Sequence, residues 1–259
     1  MIEEPYRWVE AIANRREYIE TELATGSPTI GISYPDGQLL LTFGRDRRKI
    51  FEIYDRIALG GIGHPGDIER LRMLAIELAS TEGFTRSSAD VSLRRMATYS
   101  FSPALKQAFE QIYGAPYLAR LLFAELGQSP EEDLFVRMDY DGAMTASAMV
   151  GRKRRESFGI IAGTRRSQEQ AESFLRSVEA RSLADALEGA VKAWGIARYT
   201  SDEDHREAPD EAVLHDFLKE QLQRYTVEAA ILERNGRANI AFTEVPESEY
   251  EAALSRYRE

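Results

Sequence analysis

Residues 24–43, ATGSPTIGISYPDGQLLLTF, decide how the chain is read. Ile30, Ile32 and Tyr34 alternate along one short run, Pro35-Asp36-Gly37 supplies a turn, and Leu39-Leu40-Leu41 is apolar at three consecutive positions. Alternation followed by a continuous apolar run gives a hairpin whose second strand is buried on both faces. At its mouth stands a small pair, Gly26-Ser27, followed by Pro28 and Thr29.

Upstream, residues 5–24 form one helix: Trp8, Ile12, Ile19 and Leu23 recur at helical spacings and Gly26 stops it. Downstream, KIFEIYD from Lys49 and RIALGGIG from Arg56 make a second strand pair. A helix then carries Ile68, Leu71, Leu74, Ala75 and Leu78 as far as Gly83. A longer one, capped by Ser87 or Ser88, runs through Val91, Met96, Tyr99, Leu105, Phe109 and Ile112 to Gly114, and Pro103 should kink or split it. Strands follow over 117–126, 134–140 and 157–162, with Asp141-Gly142 as the turn between the last two. Helices are expected at about 167–180 and 182–194, and another through about 223 after the acidic loop SDEDHREAPDE. Asn235-Gly236 marks a hairpin with a primed turn, and a last helix starts after Pro246. Strands, two helices, strands, two helices, strands is not an alternating βαβ order, so the class is α+β, with helices covering antiparallel sheets.

The net charge of −10, from 33 basic and 43 acidic residues, argues against nucleic acid or an anionic membrane as partner. There is no cysteine, which excludes disulfides and thiolate chemistry. The first twenty residues lack the basic start and apolar core of a signal peptide, and no apolar run approaches membrane length, so a cytoplasmic protein is expected.

Most sequence motifs fail on context. Gly61-Ile62-Gly63-His64-Pro65-Gly66 matches a dinucleotide fingerprint, but the following helix leads to another helix instead of a parallel strand ending in an acid. His64, His205 and His215 are too dispersed for a zinc site, His205 and His215 flank a solvated loop, and no cofactor or metal is expected. No GxSxG elbow exists, and the basic run Arg152–Arg155 reads as a solvated loop.

Gly26-Ser27 raises a sharper question, because a glycine before a hydroxyl residue at a hairpin mouth is where some hydrolases cut themselves. Ser27, or Thr29, would then be an N-terminal nucleophile using its own amine as base. Such a site needs a lysine and a carboxylate beside it. Lys49 can supply the first, but the second strand ends in Phe43, which can neither orient a lysine nor relay a proton. Pro28 further restricts Ser27.

GSPTIGISYPDGQLLLT followed by RKIFEIYDRIALGGIGHPGDIERLR resembles a proteasome subunit, and the α-type more than the β-type. PYRWVEAIANRREYIETELATG is similar to the N-terminal helix of bacterial α subunits; EGFTRSSADVSLRRMA, QIYGAPYLARLLFAEL and SLADALEGAVKAW resemble later segments of the family. The resemblance covers most of 5–200 and resumes at 225–254, with 202–223 as an inserted helix in a single domain spanning 1–259.

It implies a four-layer αββα sandwich of two antiparallel sheets flanked by helices, as in the Ntn-hydrolase fold. In the family's β subunits the mature chain starts at a threonine where Ser27 sits, with a carboxylate at the Phe43 position and a lysine at Lys49. Here the lysine alone remains. The implied function is a non-catalytic α-type subunit, with residues 1–25 as gate and assembly helix. It would form a homo-oligomeric, heptameric ring stacked on a catalytic β-type ring, in a threonine-protease complex that degrades unfolded proteins. Lys49, with Gly26, Gly63 and His64 near it, would line a pocket between subunits that docks the C-terminal carboxylate of a ring-shaped ATPase activator. The alternative is a self-processing, homo-oligomeric hydrolase using Ser27 and Lys49.

Overall fold

A computed structural model describes residues 5–45, 47–111, 113–147, 156–235 and 241–258. Helix α1 (Pro5–Ala24) leads into β1 (Thr29–Tyr34) and β2 (Gly37–Gly44), then β3 (Ile50–Tyr54) and β4 (Ile57–Gly63). Helices α2 (Pro65–Thr85), α3 (Leu93–Met96) and α4 (Ser102–Glu110) follow, then β5 (Ala119–Glu125), β6 (Leu134–Met138), β7 (Met144–Ala146) and β8 (Phe158–Ile161). The chain closes with α5 (Arg165–Leu175), α6 (Leu183–Tyr199), α7 (Glu211–Arg224), β9 (Thr226–Glu233), β10 (Phe242–Glu244) and α8 (Glu247–Leu254).

Two five-stranded antiparallel sheets result, ordered β10-β9-β2-β1-β8 and β3-β4-β5-β6-β7. The three leucines of β2 show how they stack. Leu39 and Leu41 face one apolar cluster with Trp194 and Val191 of α6, whereas Leu40 enters another with Ala58, Leu122 and Phe135 of the second sheet. A third cluster joins the second sheet to Ile68, Leu71 and Ala75 of α2 and Phe101. Helices, sheet, sheet, helices: the expected α+β sandwich is the one observed.

Several local expectations are corrected. The long helix up to Ile112 is divided: residues Ser88–Asp90 make a single 3-10 turn, α3 is one turn long, and Ala97–Phe101 widens into a π-helical turn before α4. Pro103 has no N–H to give the preceding turn, and the widened register absorbs that loss. Ile112 itself lies outside the described residues, as do Gly236 and Arg152–Arg155. Asp141-Gly142 turns the chain from β6 into β7, a short exposed strand that the sequence pattern did not reveal. Helix α2 continues past Gly83 to Thr85. Trp8 is 39% exposed on α1, so Ile19 and Leu23, with Ile12 partly buried beside them, anchor the inner face of that helix.

A buried arginine fastens α1 to the sandwich. Arg120 of β5 is 6% exposed. Its guanidinium donates to Glu20 of α1 at 2.6 Å, to Asp139 at 3.1 Å and to the carbonyls of Ala162 and Gly163 at 3.0 and 2.7 Å. Tyr140 adds a hydroxyl bond to Glu20 at 2.7 Å. One side chain therefore joins α1, the second sheet and the segment leaving β8 of the first. Removing one partner from such a network leaves the others buried and unpaired. Arg120→Ala should lower the unfolding free energy by about 3–5 kcal/mol in chemical denaturation; a loss below about 1 kcal/mol would show that α1 is held by its other contacts, the apolar ones and the Arg15 bonds to the Phe109 and Gln111 carbonyls among them.

Candidate functional site

The loop from α1 into β1 is built by close backbone approach. Gly26 N–H closes α1 on the Leu23 carbonyl at 2.9 Å, and a Cβ at Gly26 would collide with Ile62 of β4. Gly63 ends β4 at φ +128°, with the Leu118 carbonyl where a side chain would be. His64 then caps α2, its Nδ1 accepting from Gly66 N–H at 3.2 Å. The glycine fingerprint is thus a tight strand-to-helix joint in an antiparallel sheet, as its context foretold.

Ser27 is fully engaged. Its hydroxyl donates to the Phe43 carbonyl at 2.6 Å and accepts from the Trp194 indole at 3.0 Å. That indole stacks on the Phe43 ring at 3.9 Å and an interplanar angle of 13°. Its amine is part of a peptide bond to a packed helix. Thr29 is completely buried against Gly60 and presents no accessible hydroxyl.

Lys49, just before β3, reaches into the same junction. Its Nζ lies 3.3 Å from the Ser27 carbonyl, 3.4 Å from Thr42 Oγ1 and 3.5 Å from the Phe43 carbonyl. Among the described residues no carboxylate pairs with it. Glu228 of β9, which the register places opposite Thr42, spends its carboxylate on the backbone N–H groups of Lys49 and Ile50 at 2.9–3.0 Å. Burial lowers the Lys49 pKa to about 8; Glu228 opposes that shift and Arg198 adds to it. Burial likewise raises the pKa of Glu228, against the two backbone donors, Lys49 and Ile50, that favour its ionised form.

Ser27, Phe43 and Lys49 border a cavity of about 580 Å³ that also meets Gly63, Arg45, Phe51 and Tyr225. Of the residues that the sequence singled out, Ser27, Lys49 and Gly63 line it, while Gly26 and His64 sit one residue behind the lining. Trp194, Glu228, Arg45 and Tyr225 were not foreseen. Only Glu228 had a local signal, as an acid inside an otherwise apolar strand. The other histidines are less solvated than expected: His205 stacks on Tyr199 at 3.9 Å, and His215 Nε2 donates to the Arg256 carbonyl at 2.7 Å. No His, Asp or Glu cluster among the described residues could hold a metal, and no described helix is long and apolar enough to cross a membrane.

A double-sheet sandwich with a packed helix ahead of Ser27, and with Lys49 set beside Phe43 and paired with no carboxylate among the described residues, fits the α-type subunit that the sequence resembles. Comparison with known proteins agrees. The chain is 30% identical to the proteasome subunit alpha of Streptomyces scabiei over 247 residues, covering 92% of this chain and 94% of that one. It is 31% identical to the proteasome subunit alpha of Streptomyces coelicolor over 206 residues (78% and 75%) and 30% identical to that of Acidothermus cellulolyticus over 185 residues (70% and 74%). No family model matches the chain. The chain belongs to the proteasome subunit alpha family.

The depressed lysine has a measurable signature. Between about pH 8 and the ordinary lysine value of 10.5, the unfolded chain holds a proton on Lys49 that the folded chain has released. This group therefore makes stability rise with pH across that window. Lys49→Met removes the effect. Chemical denaturation at a series of pH values should show the wild type gaining on the variant as pH climbs through the window, and a constant difference would contradict the depressed pKa.

Proposed function

We propose that the chain is a non-catalytic ring subunit that gates a proteasome-like protease and docks its activator. Seven copies would form a ring on a catalytic β-type ring in the cytoplasm, residues 1–6 would cover the axial pore, and unfolded proteins would enter when the gate opens. The inserted segment 202–223, here containing most of α7, would lie on the outside of a single-domain subunit. Neither nucleic acid nor membrane has a part in this reading.

One observation carries it: a half-buried ammonium, held among the described residues by carbonyl and hydroxyl oxygens, on the wall of a cavity bordered by the ends of β2 and β4 and the start of α2. Such a cation is an anion receptor, and the C-terminal carboxylate of an activator tail is an anion that can form charge-assisted hydrogen bonds with it. Gly26, Gly63 and His64 would shape the backbone around the tail. Each contact is weak alone, and several engaged around a ring hold a partner by avidity. The closed hydrogen bonding of Ser27 counts against the self-processing alternative.

Lys49→Ala should leave assembly with the β-type ring intact and leave peptide entry through a gate trimmed of residues 1–6 unchanged. Activator-dependent protein degradation at matched ring concentration should fall about tenfold or more, the scale of one lost charged hydrogen bond. Lys49→Arg should restore it in part, because the charge stays while the donor geometry changes. Degradation at the wild-type rate in Lys49→Ala would make Lys49 structural and place docking elsewhere.

A further inference from the structure

We infer that the same cavity reads a second negative charge on the docking tail: an acidic side chain a few residues before the C-terminal carboxylate, received by Arg45 on the face of Tyr225. This rests on the docking reading and adds a specificity that Lys49 does not provide.

The cavity is much larger than one carboxylate requires. At about 580 Å³ it falls in the range of sites that enclose a whole small ligand, and so it takes several residues of an extended peptide. Its rim is cationic in a chain of net charge −10: Arg45, Arg47, Arg48 and Lys49 fall within five positions, against the single acid Asp46, which lies outside the described residues.

The charges are not equivalent. Arg48 is paired with Glu244, and Glu69, the acid on the opposite wall, is taken by Arg72 at 2.7 Å. Lys49 is assigned to the C-terminal carboxylate by the docking reading. Among the described residues, Arg45 and Arg47 are the arginines of the cavity that have no ion pair.

Arg45 is also positioned. Its guanidinium lies 5.0 Å from the centre of the Tyr225 ring. A guanidinium that lays one face on an aromatic ring keeps its N–H edge free, and that edge is the bidentate match for a carboxylate. Tyr225 is itself fixed: it is the C-cap of α7, and its ring meets Trp194 edge-on at 6.3 Å, while Trp194 stacks on Phe43. Phe43, Trp194, Tyr225 and Arg45 thus form a continuous column. Its first member offers its carbonyl to Lys49, and its last presents an unpaired cation at the cavity's edge. The two anion positions are built on one support, and α7 supplies part of it.

The test uses the full-length protein as purified and fluorescein-labelled octapeptides with a free C-terminus, otherwise of Ala, Gly and Leu. Glu, Gln or Lys is placed in turn at each of the four positions before the last. Fluorescence anisotropy should find one position where Glu binds about fivefold tighter than Gln, the scale of one exposed charge pair, with Lys weaker than both. Arg45→Gln and Tyr225→Leu should each reduce that Glu-to-Gln ratio to within about twofold, while Arg45→Lys keeps part of it. The ratio is taken within each variant, so a fraction of misfolded protein does not distort it. If the free-carboxylate peptides bind and their amidated forms do not, yet Glu and Gln are alike at every position, this inference fails and the docking reading stands. If no peptide binds, or amidation makes no difference, the docking reading fails and takes this one with it.

Discussion

A lysine ammonium set among backbone oxygens, paired with no carboxylate among the described residues, is the constraint around which the site is organised. Taking an amine out of water is costly, and the fold meets that cost in two ways: the Ser27 and Phe43 carbonyls and the Thr42 hydroxyl solvate the group, and its pKa drops to about 8. Glu228, the acid that the register sets opposite Thr42, is committed to the amides at the start of β3. It therefore fixes where Lys49 leaves the backbone and does not neutralise its tip.

The serine beside this lysine is engaged. The Ser27 hydroxyl is held between the Phe43 carbonyl and the Trp194 indole, and the Phe43 and Trp194 rings stack on each other. Helix α1, covalently continuous with Ser27, is pinned by Arg120 to both sheets, so the residues before the serine are part of the packed structure. The same residues that would be cut away from a self-processing enzyme here contribute Ile19 and Leu23 to the core between the sheets.

The sequence made the frame legible where the signal was local. Alternation in β1, the double-faced apolar run of β2 and the glycines of β4 placed the hairpins. Lys49 was found because chain order put it at the start of a strand beside that hairpin. The column that supports the site was not legible: Phe43, Trp194 and Tyr225 lie in separate stretches of sequence and meet only through tertiary packing. The widened turn at Ala97–Phe101 escaped for another reason. Apolar spacing reports which face is buried, and it is nearly blind to one extra residue in a helical turn.

An uncut chain separates a docking subunit from a self-processing one more directly than any activity does. Subunits recovered from the assembled particle, denatured and weighed by intact-mass spectrometry, should retain the whole of α1 ahead of Ser27. A species beginning at Ser27 would mean that the bond after Gly26 had been broken and an amine freed beside Lys49, which contradicts an α-type role for this site.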